Sequence, residues 1–158
     1  MRCPVCGNGL IHKNTKRGRL DQCEQCLGMW LDKASFNRYA VWLACEKELS
    51  KIADVSFKPR SAIGSSKIKE AIRTCPKCNI GLAKNNYAYD SNIIIDKCKQ
   101  CDGIWVDAFE INEIAEHIKR DPRVEQIGEG LITNEALEGV ERLEEFVKQA
   151  ILVLGTFT

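Results

Sequence analysis

The sequence predicts a small metal-stabilised α+β protein: two β-hairpins, each pinned by a metal ion and each followed by an α-helix, plus a C-terminal α-helix. Three observations predict it. The first is a doubled cysteine pattern: Cys3, Cys6, Cys23 and Cys26, and again Cys75, Cys78, Cys98 and Cys101. Each copy is a pair of C-x2-C units with sixteen or nineteen residues between them, inside the spacing of about 15–20 expected of a tetrahedral zinc site. The second is strand-forming and turn-forming residues between the paired cysteines. The third is apolar residues at three- and four-residue steps after each copy.

The bulk numbers fit this class. Of 158 residues, 44% are apolar and 28% charged, which excludes global disorder. Each cysteine copy spans fewer than about 40 residues, too few to fold on burial alone, and a metal is one remedy. The net charge of +1 hides an asymmetry: residues 1–73 hold 14 Lys/Arg against 7 Asp/Glu, and residues 74–158 hold 9 against 15. The front half can approach an anion. The chain as a whole lacks the strongly basic footprint of a dedicated nucleic-acid binder. The opening Met-Arg-Cys-Pro-Val-Cys has no apolar leader segment and no stretch is long enough to span a membrane. The expected location is therefore the cytoplasm, where thiols stay reduced and the cysteines hold metal rather than disulfides.

In chain order, residues 1–35 form the first hairpin unit. Gly7 and Gly9 give the first cysteine turn its freedom, Leu10–Lys13 reads as a strand, Thr15–Gly18 as a turn, and Arg19–Gln22 as the return strand. Residues 36–54 read as a connecting amphipathic helix with Phe36, Tyr39, Leu43, Cys45, Leu49 and Ile52 on its apolar face, broadened by Trp42. Residues 55–73, with Pro59 and Gly64-Ser-Ser66, read as a basic linker carrying Lys58, Arg60, Lys67, Lys69 and Arg73. Residues 74–107 repeat the hairpin unit. Tyr87, Tyr89 and Ile93–Ile95 are strand formers, and Asp90-Ser-Asn92 forms the turn. Residues 108–121 form a helix with Ile111, Ile114, Ala115 and Ile118 as its stripe. Asp107 and Glu110 make a capping box at its start, and Pro122 lies just past its end. Residues 133–154 form the last helix, in which Ala136, Val140, Leu143, Val147, Ala150 and Leu154 make a three-heptad seam. That seam either packs on its own chain or pairs two chains as a homodimer.

Four thiolates at about 2.3 Å satisfy zinc completely and leave no position for water or substrate. The expectation is two zinc ions, one per copy, acting structurally. Iron in the manner of a rubredoxin electron carrier is the alternative, because Cys3-Pro-Val-Cys6-Gly7 suits it and four thiolates also bind iron. No open metal position, nucleophile–base pair or phosphate loop is visible, so the sequence predicts a non-enzymatic binding module with a protein or nucleic-acid partner.

The pattern is more specific than its cysteines. Cys3-Pro-x-Cys6…Leu10…Cys23-x-x-Cys26-x-Gly28-x-Trp30-Leu-Asp32 resembles the bacterial and archaeal zinc-ribbon family named after the zinc finger of transcription factor IIB, and Cys75–Asp107 resembles a second copy. The acidic residue usual in that family three positions after the Asp is present as Glu110 but replaced by Ser35 in the first copy, a weaker helix start. The resemblance implies a zinc-binding ribbon and an association with transcription.

Lys13, Lys16, Arg17 and Arg19 crowd the first hairpin and are the candidate nucleic-acid contacts, with the Lys58–Arg73 stretch as an extension. Trp30 and Trp105 follow the second cysteine pair of each copy. They either cover the metal site and pack on the following helix or stack on bases. Cys45, the ninth cysteine, reads as a small buried hydrophobe. His12 and His117 are surplus to both sites. The glutamates of the C-terminal third read as the solvated side of its helix.

Overall fold

The structure is a computed structural model. It describes residues 1–15, 18–52, 72–124, 126 and 139–154, and within these the side chains of 46–52, 139–144, 146 and 154 are not described. Six strands form one antiparallel sheet: β1 (Leu10–Thr15), β2 (Gly18–Cys23), β3 (Met29–Leu31), β4 (Ala83–Asn86), β5 (Ile94–Lys97) and β6 (Ile104–Val106), in the order β1-β2-β3-β6-β5-β4. Three helices accompany it: α1 (Lys33–Ile52), α2 (Glu110–Lys119) and α3 (Gly139–Leu154).

Both predicted hairpins form. β1 and β2 pair from Leu10↔Cys23 to Thr15↔Gly18, and β4 and β5 from Ala83↔Lys97 to Asn86↔Ile94. The second ladder continues one step as Tyr87 N–H donates to the Ile93 carbonyl, after which Ser91 Oγ closes the turn onto Ala88. Tyr89 lies in that loop, fully exposed, rather than on a strand.

The joint between the two copies lies between two three-residue strands. The short strands Met-Trp-Leu and Ile-Trp-Val pair with each other, Met29↔Val106, Trp30↔Trp105 and Leu31↔Ile104. The two ribbons are thereby halves of a single sheet. Side chains alternate across a strand with period two. Met29, Leu31, Ile104 and Val106 therefore join the cluster that contains the helices' apolar residues, while Trp30 and Trp105 join the cysteines on the opposite face.

The helix-side core holds Phe36, Ala40–Cys45, Ile111, Ile114, Ala115 and Ile118 with the strand residues. The α2 stripe is the one its periodicity predicts. α1 differs from the predicted one-sided helix. Ala40 to Cys45 are six consecutive buried residues, because α1 packs on β2, α2 and α3 at once, and a helix surrounded on several sides is apolar all round. Cys45 lies in this core as a small buried residue. Phe36 meets Tyr87 edge to face at 5.9 Å, tying the first ribbon's helix to the second hairpin.

In α3, Val147 and Ala150 of the heptad seam are buried within the chain and Ile151 packs against the same core. Positions 133–138 of the predicted helix lie outside the described residues. No described helix is long and apolar enough to cross a membrane.

Candidate metal centres

Each centre is built from two knuckles, the tight turns at C-x2-C, and all four turns share one backbone solution. The N–H of the residue after the second cysteine donates to the carbonyl of the first: Gly7 to Cys3 (3.0 Å), Leu27 to Cys23 (2.9 Å), Asn79 to Cys75 (2.9 Å) and Asp102 to Cys98 (3.0 Å). The first cysteine's N–H then donates five residues on: Cys3 to Asn8, Cys23 to Gly28, Cys75 to Ile80 and Cys98 to Gly103, all at 2.7–2.9 Å. The turn requires a left-handed residue just after the second cysteine, and Gly7, Leu27, Asn79 and Asp102 have φ of 75°, 61°, 60° and 55°. The freedom expected of Gly7 and Gly9 together is thus used at Gly7, and two of the other turns rely on Asn and Asp, which tolerate this region better than most side chains.

This geometry brings the eight cysteines into two clusters. Within each, the four sulfurs lie within 4.8 Å of one another, with Cys3–Cys26 at 3.5 Å, Cys6–Cys23 at 3.4 Å and Cys75–Cys101 at 3.8 Å. Sulfurs around a tetrahedral zinc with bonds of about 2.3 Å lie roughly 3.8 Å apart, so the donor set fits such an ion. A disulfide would need a separation of about 2 Å, and none forms. Backbone N–H groups already point at the sulfurs: Val5 to Cys3 at 3.4 Å and Cys78 to Cys75 at 3.2 Å.

Burial and backbone hydrogen bonds push the thiols of each cluster in opposite directions. Burial pushes the Cys3 thiol up to about 11, against its backbone donors, and raises Cys26 and Cys75 as well. At Cys23 burial acts upward too, but the N–H of Cys26, the thiol of Cys6 and the N–H of Gln25 outweigh it and bring the group down to about 7. Cys98 falls to about 7 for the corresponding reasons. In each site, then, backbone N–H groups favour the thiolate of one cysteine, Cys23 or Cys98.

The two tryptophans complete each other's centres. Gly28 lies two residues past Cys26, and a Cβ there would overlap Cζ2 of Trp105 and stand 3.0 Å from its Cε2. At Gly103, two residues past Cys101, a Cβ would overlap Cζ2 of Trp30 and stand 2.8 Å from its Cε2. Each ring lies on the knuckle of the other ribbon and clusters with the cysteines, so the expected covering of a metal site is made across the joint and not within one copy. Both rings are buried, Trp30 at 5% and Trp105 at 0% exposure, which removes them as platforms for bases. The repeated Gly-x-Trp was the available signal: a strand residue two positions past a glycine meets its equivalent across an antiparallel pair.

A buried ionic network flanks the second ribbon. Arg73 donates to Asp96 at 2.6 Å and to Asp107 at 2.8 Å, with all three side chains less than one-fifth exposed. Asp107 also accepts the Trp105 indole N–H at 2.9 Å. Arg73 is thus withdrawn from the basic surface the linker seemed to offer. Asp107 likewise departs from its expected capping role, because its carboxylate is taken. The capping box survives by half, with Glu110 Oε2 accepting the Asp107 N–H at 2.8 Å. In the first ribbon the cap is complete in the other sense: Asp32 accepts from the Ser35 N–H at 2.8 Å and the Ser35 hydroxyl at 2.9 Å. Ser35 therefore makes a capped helix start.

Of the candidate nucleic-acid contacts, Lys13 and Arg19 are exposed on β1 and β2, and Lys13 Nζ also reaches Gln22 Oε1 at 2.7 Å. Lys16 and Arg17 lie outside the described residues, as do Lys58, Arg60, Lys67 and Lys69. His12 pairs with Asp21 at 3.0 Å, and His117 stands 3.5 Å from Asp90. Neither belongs to a sulfur cluster.

Two four-cysteine knuckle pairs, each beneath an antiparallel hairpin that leads into a helix, define a tandem zinc-ribbon protein. A family model described as transcription factor zinc-finger matches residues 2–40 and 74–117, two segments covering just over half of the chain, and the chain belongs to that family in two copies. Comparison with curated proteins finds no match, and neither does comparison with solved structures.

Proposed function

We propose that the protein is a non-enzymatic, cytoplasmic binding module whose two ions are structural zinc and whose ribbons present a surface to a protein or nucleic-acid partner. The observation that carries this reading is the donor set: each cluster brings four cysteine sulfurs within 4.8 Å of one another, enough to fill every position of a tetrahedral ion, and Cys3, Cys23, Cys75 and Cys98 are buried. A zinc ion so enclosed contributes folding energy, on the order of 10–16 kcal/mol in small zinc peptides, and polarises no substrate. The partner-facing element is the first hairpin. β1 ends the sheet, and its residues beyond Leu10 are all exposed. Lys13 and Arg19 lie there, next in sequence to Lys16 and Arg17.

Elemental analysis of the purified protein is expected to give two zinc per chain and loss of the fold on chelation. Iron in a coloured protein overturns the structural-zinc reading in favour of electron transfer. For a nucleic-acid partner, filter binding is expected to weaken steeply with salt and to fall when Lys13, Lys16, Arg17 and Arg19 are replaced by Ala. Binding that ignores both changes directs the search to a protein partner.

A further inference from the structure

We infer that the two metal centres load cooperatively, with Trp105 a positioning residue for the Cys3–Cys26 centre and Trp30 one for the Cys75–Cys101 centre. This rests on the reading that both clusters hold zinc. The ring of Trp105 presses on Gly28, whose carbonyl accepts the Cys23 N–H at 2.9 Å and so closes the turn that carries Cys23 and Cys26. Gly103 accepts the Cys98 N–H at 2.8 Å beneath Trp30. Each ring thus holds the turn that carries two of the other centre's cysteines. Both rings, Leu82 and the four buried cysteines form one packed cluster spanning the two sites.

The rings reach those seats only when β3 and β6 are paired, and that pairing requires both ribbons to be folded. Metal binding folds such a ribbon. The first ion therefore orders a ribbon whose tryptophan has no seat. The second ion orders the partner ribbon and fills both seats together, so the coupling falls on the second binding step and acts equally in both directions. Asp107 supports the arrangement by holding the Trp105 indole at 2.9 Å. Singly loaded chains are then disfavoured, and withdrawing zinc from one centre weakens its hold at the other.

The test is a chelator titration of the zinc-loaded full chain, followed by native mass spectrometry. Coupling of about 5- to 150-fold is expected to keep singly loaded chains below about one-third at the midpoint. Half or more singly loaded overturns the inference. A protein that carries no zinc at the outset instead overturns the zinc reading. Trp105→Leu keeps an apolar strand residue that cannot reach Gly28. It is expected to raise the singly loaded fraction and to free Cys3, Cys6, Cys23 and Cys26 first, seen as alkylation of those residues. A merely structural role for Trp105 would instead free the cysteines of its own ribbon first, and that result overturns the assignment. Gly28→Ala, which crowds the ring out without touching a ligand, is expected to give the same pattern, and a wild-type loading distribution in it also counts against the inference.

Discussion

The two ribbons share ligands, knuckle geometry and an exchanged tryptophan, yet they anchor what surrounds the metal by different chemistry. In the first, Asp21 meets an exposed His12, Asp32 caps α1 directly, and Ser35 is neutral. At the equivalent places in the second stand Asp96, Asp107 and Glu110, with Arg73 opposite Met1: Leu10 N–H bonds the Met1 carbonyl as Leu82 N–H bonds that of Arg73. One aspartate gives up its capping role and is rewarded with a guanidinium and an indole. The comparison teaches that the metal centre and tryptophan seat form the shared scaffold, whereas the helix junction can be built either as a surface cap or as a buried ionic network. The two solutions should respond differently to substitution and to pH.

The largest effect is one the ribbons should share. Cys23→Ser and Cys98→Ser each remove the best-stabilised thiolate of a centre. Because metal binding is folding free energy in such sites, either variant should lose cooperative thermal unfolding by circular dichroism. A variant that unfolds with the wild-type midpoint would show that its centre contributes nothing to stability.

Arg73→Met separates the ribbons. Removing one partner of a buried pair leaves uncompensated charge at a cost of about 3–5 kcal/mol, here from two carboxylates at once. Met1→Leu at the equivalent position should cost less than about 0.5 kcal/mol. Urea unfolding of the two variants measures both, and equal costs would mean the network is no more than a surface feature.

Glu110 gives the second ribbon a pH dependence that Ser35 cannot give the first. Burial raises its carboxyl to about 7, against the pull of the Asp107 N–H, and the nearby Asp107 carboxylate adds to the rise. An unfolded chain releases that proton near its ordinary value of 4.5. Between these values the folded state holds a proton that the unfolded state has lost, so this contribution to stability is full below 4.5 and is lost as pH rises through about 7. Glu110→Gln keeps the acceptor for the Asp107 N–H and removes the titration. Its melting temperature relative to wild type should be level near pH 5 and rise by pH 8, the gain being on the order of 1–3 kcal/mol. A difference that is flat with pH removes Glu110 from the account.

What could be read in the sequence follows from how local each signal is. The cysteine pairs, the hairpins and the α2 stripe rest on spacings within some thirty residues, and the structure places them accordingly. The β3–β6 joint left only the repeated Gly-x-Trp as a trace, because a three-residue strand is too short to show a period and its partner lies in the other copy. Arg73 looked like one more cation of a basic linker, since a list of charges carries no burial, and its partners come 23 and 34 residues later. α1 was read with one apolar stripe because periodicity reports a single buried side, whereas its three packing partners are a property of the assembled fold. Glu110 and Ser35 sit at equivalent positions with reversed roles: Glu110 accepts from the Asp107 N–H, whereas Ser35 donates to Asp32, and which of the two carboxylates is free to cap depends on Arg73, a residue distant in sequence.

The smallest expected effect returns to the knuckles. Of the four left-handed positions, three carry Gly, Asn or Asp, and the fourth carries Leu27. A side chain such as leucine pays about 1–2 kcal/mol in this region, while Asn lowers the penalty by bonding locally. Leu27 is 38% exposed, so shortening it sacrifices little buried area. Leu27→Asn should therefore stabilise the first ribbon by about 0.5–1 kcal/mol, whereas the reverse exchange in the second ribbon, Asn79→Leu, should destabilise by a similar amount. Thermal unfolding of the zinc-loaded variants measures both. Opposite signs of similar size would show that backbone strain at the residue after the second cysteine is a property of the knuckle itself, the same in both ribbons. If Leu27→Asn instead lowers stability, its side chain contributes packing in the first ribbon that outweighs the strain it carries.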